Sequence, residues 1–386
     1  MPLMSEISVA RTDWREWSRL APTWERIHNL CPDASFFLSR EWVDCWLATF
    51  GETLNPDLLT FERDGQVVGC CLLVWRTQWV RGIPLRRVYL NCAGENDADS
   101  TCIEYNCLLS LPDCAGPVAD ALIRFLAGRR WDELLLPGMM DGPAICAAAG
   151  SLGSVEVSDV PTLYVDLRRL RADGGDYDSV LSAKVRKNIR RSHRAHDAIH
   201  GPCTLRIAAS AEEAVAMLRR LAELHQSSWT DGGQPGAFSS PMFSWFHETL
   251  IRQCFSGGRI LLFQVLTGSE VVGSLYCLLD RGWVRFYQSG FNYSLDPKNS
   301  PGLLTLYLAI LHCLQRPELV AFDMMAGDSQ YKRSLATAEE RLRWVVVRRP
   351  TVPSLLFRGL RGVKRAVAGT IQRARRKREE ASAPES

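Results

Sequence analysis

Two Val-Val-Gly triplets, at 67–69 and 271–273, each lead a strand-like apolar run, and the elements around them recur in one order. The first half opens with a helical pattern from Trp14 to Leu30. A second helix starts at the N-cap Ser39, with Trp42, Val43, Trp46 and Leu47 as its apolar stripe. LLTFE and QVVGCCLLVW flank the turn pair Asp64-Gly65, the pattern of a β-hairpin. The strand LRRVYLNC, a helix over 117–126, a strand over 131–136, a short helix and the strand TLYVDL (162–167) complete this half. The second half starts with a basic helix from Ser179 to His200 and the strand TLRIA. Helices over about 211–229 and after Pro241 precede three strands, RILLFQVL, EVVGSLYCLL and WVRFYQSGF. A helix over 300–314, the strand LVAFDMM, a short helix near Gln330 and the strand RLRWVVVRR follow. The shared order predicts a duplicated α/β unit.

Composition fits such a unit: 46% apolar and 23% charged residues exclude disordered and fibrous classes. The start has no apolar signal-like run, and no stretch reaches the ~18 apolar residues of a membrane span, so a cytoplasmic protein is expected. Thirteen scattered cysteines, with Cys70 and Cys71 adjacent in a strand, point to buried reduced thiols. The net charge of +3 hides a division. Residues 341–378 hold thirteen basic residues and no acid, so the body is roughly −7 and the stretch 341–386 roughly +10.

The stretch QSGFNYSLDPKNSPGLLTLYL carries the chemistry. Ser300 is a good N-cap, Pro301 at the first helical position loses no useful donor, and Gly302 permits close approach. Free first-turn N–H groups and the helix dipole make such a terminus an anion site; the alternative is a well-capped helix. The basic helix KVRKNIRRSHR (184–194) sets Arg186, Arg190 and Arg194 in one row and Lys184, Lys187 and Arg191 in the next, suited to phosphate or carboxylate groups. His193, His196 and His200 have helical spacing, but only Asp197 is a nearby acidic partner and no metal is expected.

These motifs, with His225 and Trp229, VVGSLY, YQSGFN, SPGLLTLYL and FDMMAGDSQYK (322–332), resemble the CelD-like branch of the GNAT acyltransferases, related to the FemAB peptidyltransferases. FFLSREWVDCW, the DGQVVG hairpin and Glu104-Tyr105 extend the resemblance into the first half. It implies an α/β fold with mixed sheets: GNAT-like domains over 1–167 and 168–349, followed by a basic amphipathic tail over 350–386. Acyl-CoA is the implied co-substrate, without a metal. Its phosphates are expected at Ser300, Gly302 and Leu303 with Lys298 nearby, and the reacting carbonyl near Gln288, Ser289 and Gly290. One departure stands out: of the usual loop (Q/R)xxGx(G/A), only Gly302 matches.

Direct acyl transfer needs a deprotonated nucleophile and donors for the oxyanion. Asp323 is expected to act as base, to orient the acceptor, or only to cap the following turn. Lys332 stabilises the oxyanion, binds the acceptor, or is solvated. His225 takes a proton or belongs to the core; Trp229 shares its helix face, and Tyr331 adjoins Lys332. Arg186, Lys187 and Arg190 are expected at an anionic acceptor such as a glycan precursor. In the tail, Leu356, Leu360, Val363, Val367 and Ile371 form a stripe opposite Arg358, Arg361 and Arg365, so 353–378 fits an anionic membrane surface, a partner helix, or a solubilising tail. Acyl transfer from acyl-CoA to an amine or hydroxyl of an envelope- or exopolysaccharide-related acceptor is the leading expectation. Aminoacyl transfer from tRNA, the one case in which nucleic acid would be a partner, and a non-catalytic accessory role at a membrane polysaccharide synthase are the alternatives.

Overall fold

The computed structural model describes residues 6–140, 144–231, 233–296 and 299–359. The first half contains β1 (Ser8–Asp13), α1 (Trp17–Leu30), α2 (Arg40–Leu54), β2 (Asp57–Arg63), β3 (Gln66–Val80) and β4 (Ile83–Leu90). It continues with β5 (Leu109–Ser110), α3 (Ala115–Ala127), β6 (Glu133–Met139), α4 (Ala144–Ala149) and β7 (Ser154–Asp166). After α5 (Leu167–Ala172) and α6 (Tyr177–Val180) come α7 (Ala183–His200), β8 (Cys203–Ile207), α8 (Ala211–Asp231) and α9 (Pro241–Cys254). The chain ends with β9 (Ile260–Thr267), β10 (Glu270–Asp280), β11 (Trp283–Phe291), α10 (Pro301–Leu314), β12 (Ala321–Ala326), α11 (Gln330–Leu335) and β13 (Ala338–Arg348).

Local chemistry explains most boundaries. The Ser39 hydroxyl accepts the Trp42 N–H at 3.3 Å and starts α2. Asp64 and Gly65, both at positive φ, make the turn between β2 and β3. The basic helix does not run unbroken from Ser179. Leu181 is extended, and Ser182 caps a fresh helix by accepting the Val185 N–H. Strand β7 begins at Ser154, eight residues before the apolar run TLYVDL; its first part is largely exposed and pairs only with β13, so it lacks an apolar pattern.

All strands but β5 lie on one path, in the order β1-β2-β3-β4-β6-β13-β7-β12-β11-β10-β9-β8, while β5 pairs with β3. The duplication is visible in detail. In each half, two antiparallel hairpin strands lead to a third that pairs in parallel with the next over three residue pairs: β4 with β6, and β11 with β12. Each Val-Val-Gly triplet forms a β-bulge, with Val68 and Val272 as the extra residues. The glycines after them allow a helix to cross closely: a Cβ at Gly69 would strike Val118 of α3, and one at Gly273 would strike Thr305 of α10. The halves exchange their last strands. β7 follows the first half in sequence yet pairs with β12, while β13, from the second half, pairs with β6. The two exchanged strands pair with each other from Ala338↔Tyr164 to Arg348↔Ser154.

Three large apolar clusters result. One lies between the sheet and α1, α2, α8 and α9 and is continuous across both halves. The others sit on the opposite face, under α3 in the first half and α10 in the second. Trp42 packs at 4.8 Å against Phe246, and the Arg259 guanidinium bridges Glu41 and Asp280, so the halves share one interior. None of the thirteen cysteines is paired in a disulfide among the described residues. Among the described residues no helix is long and apolar enough to cross a membrane. Most of the tail expected over 353–378 lies outside the described residues; within the helical turn that begins at 352, Phe357 is buried and Leu356 exposed.

Gly273→Ala is expected to cost about 1–3 kcal/mol, because the added methyl meets the Thr305 side chain and, at 3.0 Å, the Phe291 ring. Thermal denaturation should show a lower Tm for G273A, partly restored by adding Thr305→Ala.

Candidate active site

Parallel pairing of β11 and β12 runs only from Trp283↔Ala321 to Arg285↔Asp323. Beyond it the strands separate. An extra residue in β11, Tyr287, interrupts its ladder with β10, and Met325 in β12 stands at φ 60°, a conformation that side-chain-bearing residues rarely adopt. The gap holds a cavity of about 260 Å³. Gln288 and Ser289 line it from β11, Met325 and Ala326 from β12, and Tyr331 and Lys332 from α11. Four residues expected at the site from sequence are therefore brought together: Gln288, Ser289, Tyr331 and Lys332.

The remaining wall comes from the other half, through Cys102 and Glu104 of the segment between β4 and β5. Asn91 anchors this segment; its side-chain amide donates to Asn106 Oδ1 at 2.7 Å and to the Cys107 carbonyl at 2.8 Å, all buried. Cys102 and Tyr105 are both at positive φ. The Glu104 carboxylate accepts the Ala326 N–H at 2.9 Å through Oε2. No further hydrogen bond of this carboxylate is found among the described residues, and Glu104 lines the cavity. Burial, aided by the negative charge of Asp323, pushes its carboxyl up to about 7.

Asp323 is fully buried and holds these pieces together. Its carboxylate accepts from the Tyr105 hydroxyl at 2.5 Å, the Thr162 hydroxyl at 3.1 Å and the Met325 N–H at 2.7 Å. The Arg285 guanidinium lies 3.8 Å away and stacks over the Tyr105 ring at 4.5 Å. Asp323 does not line the cavity. Lys332 does: its Nζ donates to the carbonyls of Met325 at 3.2 Å and Ala326 at 2.8 Å, and burial lowers its pKa. With three N–H groups and two carbonyl partners, one donor is left over.

His225 sits elsewhere. It packs on α8 between Trp229 and Phe238, at ring separations of 5.6 and 5.3 Å, and burial lowers its pKa to about 4. Neither His225 nor the half-exposed Trp229 lines the cavity. Gly290 is where α8 crosses β11, since a Cβ there would strike the backbone of Leu221. Ser300 caps α10 by accepting the Leu303 N–H at 3.3 Å, and Gly302 lies against the Phe291 ring. Lys298 lies outside the described residues. The basic helix α7 runs beside this terminus: Ser192 donates to the Ser300 carbonyl at 3.0 Å and Arg191 Nε to Asn299 Oδ1 at 2.9 Å. Arg186 is spent on the carbonyls of Asp178 and Leu181, and Arg190 pairs with Asp178 at 3.5 Å. Lys187 has no ionic partner among the described residues. Thus Arg191, rather than Arg186 or Arg190, reaches the α10 loop. His193, Asp197 and Cys203 bring metal-ligand atoms within 4.8 Å of one another, but Asp197 Oδ1 already accepts the Cys203 N–H at 2.7 Å.

Residues 183–333 match the family described as "Acetyltransferase (GNAT) domain". Comparison with curated proteins finds no match. Among solved structures, FemX superposes with a TM-score of 0.53 at 8% identity, over 84% of this chain and 95% of that one. A conserved protein of unknown function from Bacteroides thetaiotaomicron gives 0.54 at 9% identity, over 85% and 97%. At such identities the likeness is one of fold: a mixed α/β architecture shared along nearly the full length of both relatives.

The Glu104 environment sets a stability prediction. Its carboxyl is about 7 in the folded chain against 4.5 ordinarily, so folding is penalised increasingly from about pH 4.5 upward and fully above pH 7. Glu104→Gln should therefore raise Tm by a few degrees at pH 8, and by less at pH 5, in thermal melts at the two pH values.

Proposed function

We propose that this chain moves an acyl group from acyl-CoA to an amine or hydroxyl acceptor by direct attack, with Glu104 as the base. The observation that carries the reading is Glu104 in the lining of the β11–β12 cleft, with one hydrogen bond among the described residues and a carboxyl at about 7. A base with that pKa is half ionised at neutral pH and has enough affinity to take a proton from a bound acceptor. The deprotonated acceptor attacks the acyl carbonyl, a new C–N or C–O bond forms, the C–S bond breaks, and the departing thiolate takes a proton. Lys332 Nζ supplies its remaining N–H to the oxyanion. Gln288 and Ser289 flank the acyl group, and Tyr331 closes the mouth. Asp323 acts through others: it fixes Tyr105, and through it the backbone that presents Glu104. The phosphates of CoA belong at the first turn of α10, at Ser300, Gly302 and Leu303, with Arg191 and Lys187 of α7 as counter-charges. The acidic body makes such a local basic edge the natural landing place for an anionic donor.

A second reading, aminoacyl transfer from tRNA, draws on the FemX-like fold and on the cations of α7 that, Arg190 apart, have no acidic partner among the described residues. Salt-sensitive tRNA binding with no acetyl-CoA binding would favour it. A non-catalytic accessory role would be supported by absence of both.

Two measurements test the acyl-CoA reading. Acetyl-CoA titration should give a Kd at least tenfold weaker for Arg191→Glu than for wild type; equal affinity would remove α7 from the donor site. In assays of CoA release, Glu104→Gln should lower kcat by 10²–10⁴-fold, the range typical of a lost general base. The wild-type rate should rise with pH through about 7, a limb that disappears in E104Q.

A further inference from the structure

The duplication leaves a second cleft. β4 and β6 pair in parallel over three residue pairs, from Arg87↔Glu133 to Tyr89↔Leu135, and then separate as β11 and β12 do. The opening holds a cavity of about 360 Å³, larger than the one in the second half. Its body is apolar, walled by Tyr89, Leu135, Leu136, Pro137, Trp344 and Val346, with Trp344 and Val346 supplied by the exchanged strand β13. Cys102 and Glu104 line both cavities, so the two clefts meet at that pair of residues.

The first-half cleft differs from its partner in charge and in the helix behind it. The segment 93–104 carries Glu95, Asp97, Asp99 and Glu104 and no basic residue. Glu95 and Asp97 line the cavity with Glu104. Glu95 is held in place, its Oε1 accepting from Trp46 Nε1 at 2.5 Å and the Thr101 hydroxyl at 2.9 Å. The helix that corresponds to α10 is α3, whose N-cap Cys114 makes no capping bond. No cation of α7 type adjoins it in the lining of this cleft. The lining presents three carboxyl groups and no cation, with Arg76 donating to the Gly94 carbonyl from just outside it. It suits a molecule with an apolar body and a positive end.

Resting on the acyl-transfer reading above, we propose that the first-half cleft is the acceptor site and that the acceptor is a primary amine carried on an apolar or aromatic body. The body lies between Leu135 and Trp344. The ammonium points to the shared wall, where no further hydrogen bond of the Glu104 carboxylate is found among the described residues. There the ammonium gives one proton to the Glu104 carboxylate. The neutral amine attacks the acyl carbonyl in the adjoining cleft; the C–N bond forms, the C–S bond breaks, and the second nitrogen proton leaves with the CoA thiolate. Glu104 then returns its proton to solvent, so each turnover yields one amide, one thiol and one proton. The duplicated unit thus serves as two half-sites of one reaction: an anion-binding cleft for the donor and a cation-binding cleft for the acceptor.

The test uses the full chain and three probes: phenethylamine, its neutral analogue 2-phenylethanol, and glucosamine as a polar amine. Calorimetric titration should find phenethylamine bound at least tenfold more tightly than either of the others. Leu135→Trp fills the cavity and should abolish phenethylamine binding while leaving the acetyl-CoA Kd as in wild type. Asp97→Asn, a change at the exposed rim that leaves the core intact, should weaken phenethylamine severalfold and 2-phenylethanol not at all. The proposal is overturned if phenethylamine does not bind, if it binds no better than the alcohol or glucosamine, or if L135W binds it as wild type does. Loss of the donor reading is seen separately. If wild type binds phenethylamine with this pattern but not acetyl-CoA, the acceptor cleft stands and the donor assignment fails.

Discussion

A buried carboxylate that never reaches the cavity organises it. Asp323 lies at the last parallel pair before β11 and β12 separate, where its oxygens meet a hydroxyl from the first half, a hydroxyl from the exchanged strand β7 and a backbone N–H of its own strand. A carboxyl group so deep is tolerable only when its oxygens are hydrogen-bonded, and the Arg285 guanidinium lies beside it at 3.8 Å. The consequence is geometric. Tyr105 and Met325, both at positive φ, are held in conformations that neither would keep alone, and between them Glu104 is delivered to the Ala326 N–H. Removing the carboxylate would take from Arg285 its nearest ionic partner and release the segment that carries Glu104.

The strand exchange explains why one half can furnish the chemistry of the other. With β13 beside β6 and β7 beside β12, neither half completes its sheet alone, and the cluster under α1, α2, α8 and α9 belongs to both. The two clefts are fixed relative to each other by eleven consecutive residue pairs between the exchanged strands. Cys102 and Glu104, on the segment between β4 and β5, line both clefts.

Much of this was legible in the amino-acid order, and the limits are physical. Hydrophobic period and caps located the strands of both hairpins, the Ser39 and Ser300 helix starts and the repeat itself, because these depend on neighbours in sequence. Gln288, Ser289, Tyr331 and Lys332, expected at the site from the family resemblance, line one cavity. Glu104 is different. It reaches Ala326 over 222 positions, through a strand exchange that no local pattern encodes. The resemblance to CelD-like GNAT acyltransferases touched Glu104-Tyr105 without assigning either a task. Among the cations of α7, spacing alone cannot separate Arg186, which turns back to cap the preceding turn, from Arg191, which turns toward Asn299. The first part of β7 has a polar pattern because one of its edges lacks a partner strand, and such a segment has no periodic signature.

The net charge of +3 is equally uninformative until it is assigned to surfaces. The sheet offers two related openings, and what distinguishes them is the sign of the side chains that rim each one. Arg191 reaches the α10 loop that follows β11, Lys332 lines the second-half opening, Glu95 and Asp97 line the other, and Glu104 lines both. Two like-charged clefts would draw the same ligand twice. Opposite charges separate donor from acceptor before any contact specific to either is made, and they orient the reacting ends toward each other. Divergence of charge within a preserved backbone is a small change in sequence, and in the arrangement proposed above it would turn a duplicated fold from two copies of a site into the two sides of one.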